Sequence, residues 1–196
     1  VVTDRSRIGT VRPVARATIV RQSPLVDRKT IESSLREVGA DLLERGITGD
    51  IVIVGGAFMT LVLRSRDATK DVDAYLDPRT AQAIREAAAR VASRRGLPED
   101  WLNDAVKGYF ASAPDTVRWA EYPGLRVDAV SPAYLFAMKA FAGRPQDIED
   151  LKALARHLGI ETAREAIDIV TTYVPDRLLT PRVRYLLDDL FAKDDE

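Results

Sequence analysis

The apolar positions along the chain alternate between two periods. From Asp27 onward, Ile31, Leu35, Val38, Leu42 and Leu43 share one stripe with charges opposite, which predicts an amphipathic helix ended by Gly46. "DIVIVGG" reads as a buried strand closing on two glycines, and "AFMTLVLRS" as a short helix packed on it. "DVDAYL" is the next strand. "DPRTAQAIREAAARVASRRG" predicts a long helix, with Pro78 near its first turn and Gly96 past its end. "LPEDWLNDAVKGYF" is mixed and reads as a loop leading into a short helix. "DTVRWAEYPG" and "LRVDAVS" predict two strands joined at Pro123 and Gly124. From Pro132 the pattern is helical in four stretches, ending with "PRVRYLLDDLFA". Before Asp27 there is no helical period, and "VARATIV" is a candidate edge strand. This order predicts an α+β fold: a basic arm over residues 1–26, a core over 27–130 with a sheet flanked by helices, and a C-terminal helical bundle over 131–196.

Composition narrows the chemistry. The chain has 196 residues, enough to bury a sizeable core, and no cysteine. A disulfide framework, a zinc–cysteine site and a cysteine nucleophile are excluded. A single histidine, His157, excludes chemistry that needs two. It stands beside Leu158 on a helix and reads as a structural or surface residue. Asp, Glu, Lys, Arg and hydroxyl groups remain as the catalytic set. No run of 18 apolar residues predicts a membrane span. The first residues are charged from Asp4 and Arg5 and lack the apolar centre of a signal peptide, so a cytoplasmic protein is expected. The net charge of −1 is uninformative, but its distribution is uneven. Arg5, Arg7, Arg12, Arg16, Arg21, Arg28 and Lys29 crowd the start, and the end is acidic. A basic arm suits phosphate backbones, and it equally suits a solvated segment.

The densest chemistry lies between Gly55 and Pro78. A strand period of two sends Asp71, Asp73 and Tyr75 to one face and Val72, Ala74 and Leu76 to the core. The two carboxylates then stand roughly 7 Å apart along the strand, close enough for their flexible ends to converge on divalent cations. Solvated acids on an exposed face are the plainer account. Gly55 and Gly56 follow a strand and precede a helix, where backbone N–H groups can approach phosphates. Arg64, Arg66 and Lys70 bracket the carboxylate strand and suit a triphosphate. Asp128, on a later strand, is either a third carboxylate in the same cleft or a partner of Arg126 or Arg118. Lys139 lies late in an apolar helix with Tyr134, Leu135, Phe136, Met138 and Phe141, so it is desolvated unless it faces a cleft. Asp147 and Asp150 share the next helix face. Asp147 complements the helix dipole. Asp150 adjoins the Leu151, Leu154 and Leu158 stripe, so it is expected half-buried with a cationic partner such as Lys139 or Arg144.

Taken together these residues resemble the nucleotidyltransferase superfamily with the DNA polymerase β-type palm: a glycine pair at a strand-to-helix turn (Gly55, Gly56), a D-x-D strand (Asp71, Asp73) and a third acid on a later strand (Asp128). The AbiEii-like branch, with its MenT-type toxins, resembles the chain more closely. There a threonine and a lysine precede D-x-D, as in "ATKDVDAYL" with Thr69 and Lys70. A lysine helix then leads to R-x-x-D-x-x-D-L, as in Lys139 and "RPQDIEDL" with Arg144, Asp147 and Asp150. "LPEDWLND" is also similar to a segment of some members. The resemblance spans roughly residues 51–154 and implies a nucleotidyltransferase-like mixed sheet. It implies a Mg²⁺-dependent transfer of a nucleoside monophosphate from an NTP, with metal on Asp71, Asp73 and Asp128. Gly55, Gly56, Arg64, Arg66, Thr69, Lys70, Arg144 and Asp147 would bind the nucleotide, and Lys139 and Asp150 would act with the two metal-strand acids. That branch uses Asp128 less consistently than the lysine and the helix aspartate. Related toxins add nucleotides to tRNA 3′ ends, so an RNA acceptor and a cognate antitoxin are expected partners. A protein hydroxyl or small molecule as acceptor, or a module that binds NTP without turnover, are the competing expectations.

Overall fold

The computed structural model describes residues 25–104 and 114–192. The basic arm apart from Leu25 and Val26, the "VARATIV" strand, and the "AVKGYF" part of the segment expected to lead into a short helix lie outside these residues. Helix α1 (Arg28–Glu44) is capped by Asp27, whose carboxylate accepts from Thr30 N–H at 2.7 Å. It buries Ile31, Leu35, Val38 and Leu42 as the stripe requires. Leu43 is the exception. It is exposed, because it lies on the flank of the helix rather than on the seam that meets the sheet. Arg28 and Lys29 belong to this helix, and Arg28 pairs with Glu32.

The described residues contain seven strands: β1 (Val26–Asp27), just before α1, then β2 (Gly49–Ile53), β3 (Ala68–Thr69), β4 (Val72–Leu76), β5 (Leu102–Asn103), β6 (Thr116–Tyr122) and β7 (Leu125–Val130). Five form a mixed sheet in the order β5-β4-β2-β7-β6. β2 runs antiparallel to β4 and parallel to β7, and the hairpin β6–β7 closes one edge. β1 and β3 make a separate antiparallel pair, so Val26, at the end of the expected arm, is built into the fold and buried. α2 (Gly55–Leu61) leaves directly from β2. α3 (Ala81–Arg95) ends on Gly96 in the left-handed conformation. Pro78 was expected near its first turn, but Thr80 is the cap. The Asp77 carboxylate holds the intervening turn by accepting from Arg79 N–H at 2.9 Å, so Pro78 sits in that turn.

The residues of β4 alternate as expected. Val72, Ala74 and Leu76 are buried with Ile51, Ile53, Val127 and Ala129 beneath α1 and α3. The opposite sheet face carries the polar residues in rows set by the register. Asp50 pairs across to Arg126, and Val52 lies between Tyr75 and Asp128. Asp73 stands one pleat nearer the glycine turn, where its carbonyl accepts from Val54 N–H at 3.0 Å. α1 approaches the β6–β7 turn so closely that a Cβ on Gly39 would meet Pro123 O at 2.5 Å, and one on Gly124 would meet Gly39 O at 2.2 Å.

Four α-helices follow β7 among the described residues: α4 (Pro132–Ala142), α5 (Ile148–Leu158), α6 (Ala163–Tyr173) and α7 (Pro181–Leu190). α4 packs on both α5 and α6. Pro132 opens α4 behind the Ser131 cap, and Thr162 with Glu165 forms a capping box on α6. His157 is exposed on α5. Among the described residues no helix is long and apolar enough to cross a membrane.

Candidate active site

The glycine turn is dictated by what surrounds it. Gly55 has φ +60°, and a Cβ there would sit 2.9 Å from Asp73 Oδ2. A Cβ on Gly56 would sit 2.7 Å from Thr69 Oγ1. Glycine at both positions therefore lets the turn close onto the carboxylate strand and leaves the backbone open on its outer side. The turn forms one end of a pocket of about 450 Å³ between the open sheet face and α4. Val54, Gly55, Gly56, Asp73 and Val130 line the sheet side. Tyr134, Leu135, Met138, Lys139 and Ala142 line the helix side. Arg66, Arg144, Gln146 and Asp147 complete the rim.

A buried charge cluster ties this pocket together. Lys139 Nζ lies 2.5 Å from Asp147 Oδ1 and 2.8 Å from Asp150 Oδ2. The second contact is an ion pair that lacks good hydrogen-bond direction. Arg66 Nη2 meets the other Asp150 oxygen at 2.7 Å. The side chain of Asp150 is only 3% exposed and that of Lys139 11%. Lys139 was expected to be desolvated unless it faced a cleft. It faces the cleft and is still largely covered, which its two carboxylate partners make tolerable. Asp150 has the cationic partner expected of it in Lys139 and a second in Arg66. Asp147 does more than complement a helix dipole, since it is buried and accepts from Lys139. Asp150 does not line the pocket. Its contacts make it a residue that positions two cations rather than one that meets an acceptor.

Asp73, on the open face of β4, lines the pocket, whereas Asp71 lies just before the strand and outside the lining. Asn103, on β5, is Asp73's neighbour in the register, and its Nδ2 donates to Asp71 Oδ2 at 3.2 Å. Burial and the adjacent Asp73 carboxylate raise the Asp71 pKa above its ordinary value, against the pull of Lys70. Two crowded carboxylates whose mutual charge is unfavourable fit a hard cation that takes oxygen ligands. Among the described residues no group of three or more His, Cys, Asp or Glu could hold a metal ion. A cation here would complete its shell from substrate phosphates and water.

The remaining candidates lie elsewhere. Asp128 shares the open face with Asp73 but stands two strands across and one pleat away, roughly 10 Å from strand spacing alone. Arg118 Nε donates to it from β6. The third-carboxylate expectation therefore gives way to the alternative, ion pairing with Arg118, because the register puts Val130 rather than Asp128 beside the glycine turn. Arg64 and Lys70 are exposed and lie off the pocket. Arg64 has φ +58°, an unusual conformation for a side chain other than glycine. Thr69 is buried against Gly56. Sequence reasoning missed Asn103, the Arg66–Asp150 pair, and the wall of Tyr134, Met138 and Gln146. The spacing of Tyr134, Met138 and Ala142 on one helix face with Lys139 was the available signal for that wall.

A glycine turn, a strand carrying Asp73 and a cation-bearing helix around one pocket on a mixed sheet define a nucleotidyltransferase-like α+β protein. A family model described as a nucleotidyltransferase of unknown function (DUF6036) matches residues 33–176, and the chain belongs to that family. The matched span includes every pocket residue. No curated protein and no solved structure matches the chain. The family match carries the superfamily, while the AbiEii/MenT-like branch rests on the motifs alone.

Proposed function

We propose that this protein transfers a nucleoside monophosphate from an NTP to an RNA 3′ end, a tRNA above all, as the toxin of a toxin–antitoxin pair. The observation that carries the transfer chemistry is the convergence of Gly55, Gly56, Asp73, Arg66, Lys139, Arg144 and Asp147 on one pocket. Its volume of about 450 Å³ suits a small-molecule substrate. Little covalent chemistry falls to the protein in phosphoryl transfer, so positioning and charge stabilisation dominate. The open backbone at Gly55 and Gly56 lets phosphates approach. Arg66, Lys139 and Arg144 meet the triphosphate charge. Asp147 and Asp150 fix Lys139, and Asp150 also fixes Arg66. Asp71 and Asp73 would hold Mg²⁺, which when bound neutralises charge that develops on the phosphates. The acceptor hydroxyl gives its proton to water as its oxygen bonds to the α-phosphorus, the bond from that phosphorus to the oxygen bridging to the β-phosphate breaks, and pyrophosphate leaves.

The RNA acceptor is favoured by the exposed Arg64 and Lys70 beside the site and by the arginines of residues 1–24. The toxin role and a cognate antitoxin follow from the motif resemblance. The test is incubation with Mg²⁺, each radiolabelled NTP in turn, and total bacterial RNA. Label is expected in tRNA-sized bands and absent with Asp73→Ala or Asp71→Ala. Label in protein or a small molecule after adding lysate would move the acceptor there. Turnover by a folded Asp71→Ala or Asp73→Ala protein equal to that of the unsubstituted chain would sink the site assignment.

A further inference from the structure

β5 is only two residues long, yet it is firmly seated. Trp101, immediately before it, is fully buried, and its indole N–H donates to Ala88 O of α3 at 3.1 Å. Val72 N–H, at the start of β4, donates to Trp101 O at 2.7 Å. A buried tryptophan with its one donor satisfied is a rigid anchor. It fixes the register that sets Leu102 beside Val72 and Asn103 beside Asp73. Leu102 turns into the core, and Asn103 turns to the open face. There its amide reaches back along β4 to Asp71.

This contact matters because of where Asp71 lies. Asp73 is held within β4, whereas Asp71 precedes the strand and lacks that ladder. Backbone pairing does not fix a rotamer, so a side-chain partner is what can hold the Asp71 carboxylate in one orientation, and Asn103 supplies one. We propose that Asn103 is a positioning residue for Asp71: its amide holds one carboxylate oxygen and leaves the other available, so that Asp71 and Asp73 would together hold the cation. This rests on the metal-dependent reading of the same site. Asn103 suits the task because its amide is uncharged and donates at any pH. An acid here would repel Asp71, and a lysine would compete with the cation.

The readout is cation affinity without NTP, with Mn²⁺ as the probe, followed by electron paramagnetic resonance on the full chain. Asn103→Leu keeps the volume and removes the donor. It should weaken Mn²⁺ binding roughly 10- to 100-fold, the usual cost of losing a partner behind a metal ligand. Its thermal midpoint in EDTA should stay near that of the unsubstituted chain. If Asn103→Leu proves unstable, Asn103→Ser carries the same expectation, since its hydroxyl is too short to reach. In the transfer reaction the loss should fall on kcat more than on the KM for NTP, because Arg66, Lys139 and the glycine turn are untouched. Mn²⁺ binding that is lost in Asp71→Ala but unchanged in a folded Asn103→Leu overturns the positioning role and leaves the metal reading standing. Mn²⁺ binding that is absent both without and with NTP, or equal in Asp71→Ala, overturns both.

Discussion

At Gly56 the limit on side-chain size is set by one atom, Thr69 Oγ1, 2.7 Å from where a Cβ would stand. Gly56→Ala should therefore cost about 1–3 kcal/mol, the usual range for overpacking. Trimming the opposing hydroxyl in Gly56→Ala/Thr69→Ala should restore most of that loss, because the next nearest atom is Thr69 Cβ at 3.7 Å. Urea unfolding of the two variants reads this directly. A double variant no more stable than the single one would show that the clash is with something else. Gly55 differs, since its φ of +60° and the nearby Asp73 Oδ2 penalise any side chain on two counts.

Among the elements, the turn from β4 to α3 offers a pH-dependent test. Arg79 holds the Asp77 carboxyl down to about 2 through its side chain and backbone N–H, with a smaller contribution from Arg126. A depressed carboxyl stabilises the fold above its unfolded value near 3.8, and that contribution is lost as pH falls toward 2. Arg79→Ala should therefore be less stable than the unsubstituted chain at pH 5. The gap should narrow between roughly pH 4 and pH 2, as thermal midpoints measured across that range would show. A gap independent of pH would refute the assignment. The same elements show what a sequence makes legible. β2, β4 and β7 follow from period, because each is long enough for burial to impose a pattern, while α2 and the β6–β7 turn follow from their glycines. β5 and the β1–β3 pair were not legible, since two residues cannot display a period. Their existence depends on partners distant in sequence, such as Trp101 packed beneath α3. That Asp73 and Lys139 face one pocket was legible from strand and helix faces. Asp128 was misplaced toward the cleft because a single strand reveals its face but not its row against neighbours.

For the whole molecule, Asp150 joins the segment after α2, α4 and α5 through Arg66 and Lys139. Removing it leaves Lys139 short of one partner in a largely covered site. Asp150→Ala should destabilise by about 3 kcal/mol and lower transfer by about 100-fold, the scale of a 1 Å misplacement. Replacing the pair by Lys139→Met/Asp150→Leu should recover stability, as apolar substitutes for buried ion pairs often do, while transfer stays lost. Denaturation curves and single-turnover rates on the same preparations separate the two. Recovery of transfer in the double variant would mean the cluster serves the fold alone.

The close approach of α1 to the β6–β7 turn has a consequence for how the sequence can vary. At Gly56 the obstacle is a side chain, so a second substitution elsewhere can make room. At Gly39 and Gly124 the nearest obstacles are the carbonyl oxygens of Pro123 and Gly39, which every residue type carries. No exchange at those neighbours removes them. In a library selected for folding, compensated variants should arise at Gly56 and none at Gly39 or Gly124. The helix and the hairpin thus share a joint that mutation can break but cannot retune.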